Sequence, residues 1–125
     1  MATGHVLVVD DDEDLRQALG DVLVEILGVD WIGAASFEEL VGLGERALAC
    51  DVAILDVNLG AGRPSGIDAF EWLKGNGFRG RIVFLTGHAR SDPLVAQAWG
   101  ERSAHVYQKP MTLELLGAIV DGERS

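Results

Sequence analysis

The 125-residue chain has one cysteine, Cys50. No internal disulfide can form, which suits a reducing compartment, and the thiol reads as a small buried hydrophobe at a helix end. Basic residues are scarce. Ten Lys and Arg stand against twenty Asp and Glu, a formal net charge of −10. That balance argues against nucleic acid, whose phosphates require Lys and Arg, and against anionic membrane surfaces. No stretch stays apolar for about 18 residues, so no membrane span is expected. The opening "MATGHV" lacks the basic start and long apolar run of a signal peptide. The expected setting is cytoplasmic, and the length suits one domain over 1–125 rather than two.

Apolar residues are not scarce: they make up 48% of the chain, and they fall in short runs that alternate with helical spacing. Val6–Val9 is a buried strand. Leu15, Ala18, Leu19, Val22, Leu23 and Ile26 form one helix face, ended by Gly28. "WIGAA" is a weaker strand. Ser36 and Glu39 form a capping box for a helix lined by Phe37, Leu40, Val41 and Leu48. "VAILDV" is a third strand, followed by a glycine-rich loop and a helix from about Ser65 to Lys74. "RIVFLT" is the fourth strand, and Asp92–Pro93 opens the fourth helix, where the missing N–H of Pro93 costs nothing. "HVYQ" is the fifth strand, and Thr112 caps a last helix to about Asp121. Strands this apolar on both faces predict a parallel sheet covered on both sides. Gly20 and Gly117 fall inside predicted helices at about 1 kcal/mol each relative to Ala, for which close helix packing is the simplest reason.

The polar residues sit at strand ends. In a doubly wound sheet, ligands bind beyond the carboxyl ends of the strands. The first strand ends in Asp10 and Asp11, the third in Asp56 with Asn58 close behind, the fourth in Thr86 and Gly87, the fifth in Lys109. The second ends in Ala34 and Ala35, which suits an edge position beside the first. Three carboxylates on one rim repel unless a hard divalent cation joins them. Mg2+ takes oxygen ligands, here Asp10, Asp11, Asp56 and a backbone carbonyl near Asn58. Cation, carboxylate, lysine and hydroxyl together suit phosphoryl transfer, with Asp56 as nucleophile forming an acyl phosphate. The run "DDDED" then divides in two. Asp10 and Asp11 are cation ligands, whereas Asp12, Glu13 and Asp14 charge the start of the next helix. Taken alone, the run is equally a plain helix start; Asp56, Thr86 and Lys109 tip the balance.

The segments "VLVVDDDEDLR", "AILDVNL", "FLTGHA" and "YQKP", in this order, make the chain resemble the receiver domain of response regulators in two-component signalling. The resemblance implies a flavodoxin-like (βα)5 fold, an α/β parallel sheet of strand order 2-1-3-4-5. It implies that Asp56 is the phosphoacceptor and that Asp10 and Asp11 hold Mg2+ with the main-chain carbonyl of Asn58. Thr86 is then the switch hydroxyl, Gly87 the small residue that leaves room for phosphate, and Lys109 the partner of a phosphoryl oxygen, with a cis Lys109–Pro110 bond. The implied catalytic set is Asp56, Thr86 and Lys109. The implied donor is a phosphohistidine on a sensor histidine kinase or a histidine phosphotransfer domain, and the domain itself is a signalling phosphoacceptor rather than an enzyme. Asn58 and His88 flank the expected water path and are candidates for setting the acyl phosphate's lifetime; His88 is otherwise an exposed loop histidine.

Three departures stand out. The loop "DVNLGAGRPSG" is longer than usual, with Gly60 where the family places a proline. Val106 stands where many receivers carry a switch aromatic, and Tyr107, one residue on, should face the opposite side. "GERSAH" replaces the usual turn before the fifth strand, and Trp99 is either a surface contact or core. The chain ends at Ser125, which suggests a stand-alone receiver. The last helix carries a wide apolar stripe (Leu113, Leu116 and Val120 beside Leu115 and Ile119), either a broad core face or part of a homodimer or partner face built from the fourth helix, fifth strand and fifth helix. A haloacid-dehalogenase-type hydrolase would need a second aspartate where Asn58 stands, and a flavodoxin would need a phosphate loop where the acids stand. A receiver fold that binds partners independently of phosphorylation is the alternative function.

Overall fold

A computed structural model of the chain describes residues 5–88, 92–100, 104–109 and 111–121. The elements alternate as the apolar runs predict: β1 (His5–Val9), α1 (Glu13–Glu25), β2 (Asp30–Ala34), α2 (Phe37–Leu43), α3 (Glu45–Leu48), β3 (Val52–Asp56), α4 (Gly66–Gly75), β4 (Arg81–Thr86), α5 (Pro93–Trp99), β5 (Ala104–Gln108) and α6 (Leu113–Asp121). The five strands are all parallel, in the order β2-β1-β3-β4-β5. This is the flavodoxin-like arrangement that the resemblance implies, with β2 at the edge beside β1 as its apolar end suggested.

One expected helix is two. Gly44 takes φ +58, a region that glycine enters without a Cβ penalty, and it separates α2 from the short α3. The fourth and fifth helices expected from the sequence are therefore α5 and α6.

The sheet is buried on both faces because its strands alternate between two apolar clusters. Leu7, Val9, Leu55 and Phe84 face α2 to α5 through Leu40, Ala47, Phe70, Leu73, Val95 and Ala98. Val6, Val8, Ile54, Val83 and Leu85 face α1 and α6 through Leu19, Leu23, Leu116 and Ile119. Cys50 is buried just after α3, as expected. Burial pushes its thiol up to about 11, which leaves it unreactive. Among the described residues, no helix is long and apolar enough to cross a membrane.

Caps set the helix starts. The Asp12 carboxylate accepts the Leu15 N–H at 3.1 Å, and Thr112 Oγ1 does the same for Leu115. Ser36 accepts from Glu39 N–H, but the Glu39 carboxylate reaches back to the Ala35 N–H rather than to Ser36. A reciprocal box forms at Ser65, which accepts from Ile67 N–H and donates its own N–H to Asp68.

On β5, Val106 packs in the first cluster and Tyr107 in the second, so the tyrosine does face away from Val106. Trp99 is 44% exposed, as a surface position would be. On α6, Leu116 and Ile119 are buried and Leu115 and Val120 partly so, while Leu113 stands out at 51%. Most of that stripe is core. The turn residues 101–103 and Pro110, with its expected cis bond, lie outside the described residues.

The two puzzling helix glycines separate. A Cβ on Gly20 would overlap the indole of Trp31, whereas one on Gly117 would meet only Leu27 Cδ2 at 3.8 Å, an ordinary contact. Nothing in the packing explains Gly117. Gly20→Ala should therefore destabilise the domain by about 1–3 kcal/mol through overpacking, despite its better helix propensity. Gly117→Ala should be neutral or stabilising by up to about 1 kcal/mol. Urea denaturation of both variants checks this; a stabilised Gly20→Ala would contradict the packing assignment.

Candidate functional site: an acidic pocket at the carboxyl edge of the sheet

The strand order decides which side chains meet. β1 and β3 are neighbours, and β4 and β5 follow on the same side. The residues ending these strands therefore share one rim. Here a cavity of about 660 Å3 is lined by Asp11, Asp56, Asn58, Gly87, His88 and Lys109, among others. A Cβ on Gly66 would run into the Asp56 carbonyl, so the bare residue lets α4 start against the end of β3.

Asp10 and Asp56 are almost fully buried, at 1% and 5% exposure. Lys109 reaches between them, its Nζ 3.3 Å from Asp10 Oδ2 and 3.4 Å from Asp56 Oδ2. The main chain holds the lysine in place, because the Lys109 N–H donates to the Thr86 carbonyl at 2.8 Å. Asp10 is fixed from both sides. Its Oδ1 accepts the Asp12 N–H at 2.9 Å, and its carbonyl accepts from Arg16 Nη1 at 2.7 Å. Its Oδ2 pairs with Lys109 by charge but has no aligned hydrogen bond.

Carboxylate oxygens of Asp10, Asp11 and Asp56 come within 4.8 Å of one another. Asn58 donates its N–H to Asp56 Oδ1 at 3.4 Å, and its own buried Oδ1 has no hydrogen-bond partner among the described residues. An all-oxygen set with two under-satisfied buried oxygens fits a hard divalent cation. Thr86 is fully buried, and its Oγ1 accepts the His88 N–H at 3.0 Å. Gly87 borders the cavity, where a Cβ would lie 3.7 Å from Lys109 Cδ. His88 is exposed at the rim, with Nδ1 3.9 Å from Asp92 Oδ2.

Of the site residues expected from the sequence, Asp11, Asp56, Asn58, Gly87, His88 and Lys109 line this pocket, while Asp10 and Thr86 lie behind it, joined to it through Lys109 and His88. Sequence reasoning missed Arg16, which anchors Asp10, and Arg63, which lines the cavity from the long loop before α4. Arg16 carried a weak signal as the basic residue closing "DDDEDLR". Arg63 carried none beyond the loop's unusual length.

The electrostatics follow from this crowding. Burial, and then the charge of Asp10, push the Asp56 carboxyl up to about 7; Lys109 and the Asn58 N–H hold it from rising further. Burial alone would lower Lys109, but the Asp56 and Asp10 charges outweigh it and its pKa is raised. Without a bound cation, the cluster is short of positive charge.

Comparison with known proteins agrees with the fold. The family model for the response regulator receiver domain matches residues 6–121. A response regulator receiver domain protein from Clostridium thermocellum shares 27% identity, covering 95% of this chain and 92% of its own, with a TM-score of 0.75. A response regulator from Burkholderia pseudomallei, solved with a phosphorylated aspartic acid, calcium ion and citrate, shares 27% identity over 94% of this chain and 66% of its own, with a TM-score of 0.74. The receiver domain of the PhyR response regulator from Erythrobacter litoralis shares the fold at 24% identity, covering 98% of this chain and 90% of its own, with a TM-score of 0.77. No significant match was found among curated proteins. The chain belongs to the response regulator receiver domain family, whose members are signalling proteins of two-component systems rather than conventional enzymes.

The raised Asp56 pKa gives a pH dependence with a definite sign. The folded carboxyl holds its proton up to about pH 7, against 3.8 ordinarily. Between those values the folded state binds more protons than the unfolded state, so this group's contribution to stability falls as pH rises through the window. In EDTA, Asp56→Asn should raise stability at pH 8 by about 1–4 kcal/mol and change it little at pH 4. Thermal melting at both pH values checks this; an equal shift at both would contradict it.

Proposed function

We propose that this receiver takes a phosphoryl group onto Asp56 from a phosphohistidine on a sensor histidine kinase or a histidine phosphotransfer domain. The observation that carries the reading is Asp56 itself. It is a buried carboxylate opening on a cavity, 3.4 Å from a lysine and beside two further acids. The phosphorylated aspartic acid of the Burkholderia pseudomallei relative supports the same chemistry here.

An Asp56 carboxylate oxygen attacks phosphorus, an O–P bond forms, and the N–P bond to the donor imidazole breaks. Only the ionised carboxylate is a nucleophile, so whatever lowers its pKa from about 7 promotes the reaction. Lys109 already keeps it from rising further, and is placed to neutralise a phosphoryl oxygen. Thr86 donates its hydroxyl to a phosphoryl oxygen, and Gly87 leaves that side of the pocket open. Asp10, Asp11, Asp56 and the Asn58 carbonyl would hold Mg2+, which when bound supplies charge neutralisation for the transferred group. Hydrolysis of the acyl phosphate ends the signal, with Asn58 and His88 beside the water path. The setting this reading implies is the cytoplasm.

The output is a contact face of α5, β5 and α6, taken by a protein partner or a second copy. Its support is the exposure of Trp99 and Leu113 on that side. Val106 is too short to couple to Thr86 as an aromatic would. Leu94, which packs against the same apolar cluster and also borders the cavity, is the residue best placed to transmit the change.

Incubation with acetyl phosphate and Mg2+ should give one phosphoryl adduct by intact mass, lost with EDTA and in Asp56→Asn. Light scattering with beryllofluoride, a phosphoryl mimic, reads the contact face, and an unchanged mass would argue against a homodimer. No adduct and no response to beryllofluoride would overturn the phosphoacceptor reading and favour a phosphorylation-independent binding module.

A further inference from the structure

The pocket has a second cation that the chemistry above leaves idle. Arg63 borders the same cavity as Asp56 and Lys109. Its loop closes by a turn in which the Arg63 N–H donates to the Gly60 carbonyl at 3.2 Å. Gly60 takes φ +114, and a Cβ there would stand only 3.0 Å from Arg63 Cδ. The bare glycine leaves room for the arginine stem to fold back across the loop. At the tip, the guanidinium meets Glu38 of α2 at 3.5 Å. Both side chains are more than half exposed, so this pair is weak and easily exchanged.

Charge gives the exchange a direction. Asp10, Asp11, Asp12 and Asp56 all contribute carboxylates at this end of the sheet, against Lys109 on the cationic side. Phosphorylation replaces one carboxylate charge by nearly two, and a divalent cation returns two. With Lys109 alone the loaded pocket stays anionic. A guanidinium offers paired donors that match phosphoryl oxygens, and those oxygens outcompete an exposed carboxylate for it.

We infer that Arg63 is a second anion-binding residue of the phosphoacceptor pocket, held off by Glu38 in the resting domain and transferred to the phosphoryl group once Asp56 carries it. This rests on the phosphoacceptor reading. The longer loop is then the device that brings a cation to the open side of the pocket.

The test is calorimetric titration of the whole chain with beryllofluoride in saturating Mg2+, and separately with Mg2+ alone. Arg63→Ala should weaken beryllofluoride binding by about fivefold to tenfold, and Arg63→Lys should recover part of that. Glu38→Gln, which frees the arginine, should tighten it by about twofold. Mg2+ alone should bind Arg63→Ala as well as the wild type or more tightly, because a like charge has been removed. A purely structural role would weaken both ligands together, so parallel losses would overturn the inference. So would beryllofluoride binding to Arg63→Ala that matches a wild type able to bind it. A wild type that binds no beryllofluoride would overturn the phosphoacceptor reading, and this inference with it.

Discussion

The structure turns on one lysine shared by two buried carboxylates. Asp10 and Asp56 stand at the ends of neighbouring strands with almost no access to water, and Lys109 lies within 3.4 Å of both. Two buried like charges are tolerated only if something opposite joins them, and a single ammonium does not fully answer two carboxylates with a third close by. The residual imbalance appears as an Asp56 carboxyl that holds its proton to about pH 7. On the proposed function, the same imbalance would draw a cation to the cluster, and would make the ionised nucleophile available only when more positive charge arrives. Stability and chemistry oppose each other here, as expected where a fold spends stability on a site.

The rest of the molecule holds this cluster in place. Two apolar layers clamp the sheet, so the strand ends cannot drift apart. The Arg16 guanidinium and the Asp12 N–H fix Asp10, the Asn58 N–H meets the Asp56 carboxylate, and the Lys109 N–H is anchored on the Thr86 carbonyl. In the proposed chemistry the responding groups are side chains, the Thr86 hydroxyl, which accepts the His88 N–H at 3.0 Å, and the Arg63 guanidinium, which meets Glu38 at 3.5 Å.

Much of this was legible in the sequence, for physical reasons. Runs such as Val6–Val9 and Val52–Leu55 are apolar at every position because both faces of a central strand are buried, and a polar residue just beyond them stands out. The end of β2 has no such residue, which placed it at the edge. Its weaker pattern fits its half-exposed position. Caps at Asp12, Ser36, Asp92 and Thr112 are local hydrogen bonds and need no tertiary knowledge. What escaped depends on three-dimensional approach. The apolar spacing from Phe37 to Leu48 conceals a break that only the backbone of Gly44 reveals. The reason for Gly20 lies on another element, in Trp31. Arg63 looks like any loop arginine until the loop folds it back over Gly60. The family identity followed from four short segments taken together; the phosphoryl chemistry rests on the pocket they build.

The central claim is that the phosphoryl group goes to one carboxylate out of twenty. Borohydride converts an aspartyl phosphate to homoserine, so reduction after phosphorylation followed by peptide sequencing reads the acceptor directly. Homoserine at position 56 and nowhere else is the expected result. Homoserine at Asp10 or Asp11, or a phosphoryl group on any other residue, would contradict the account.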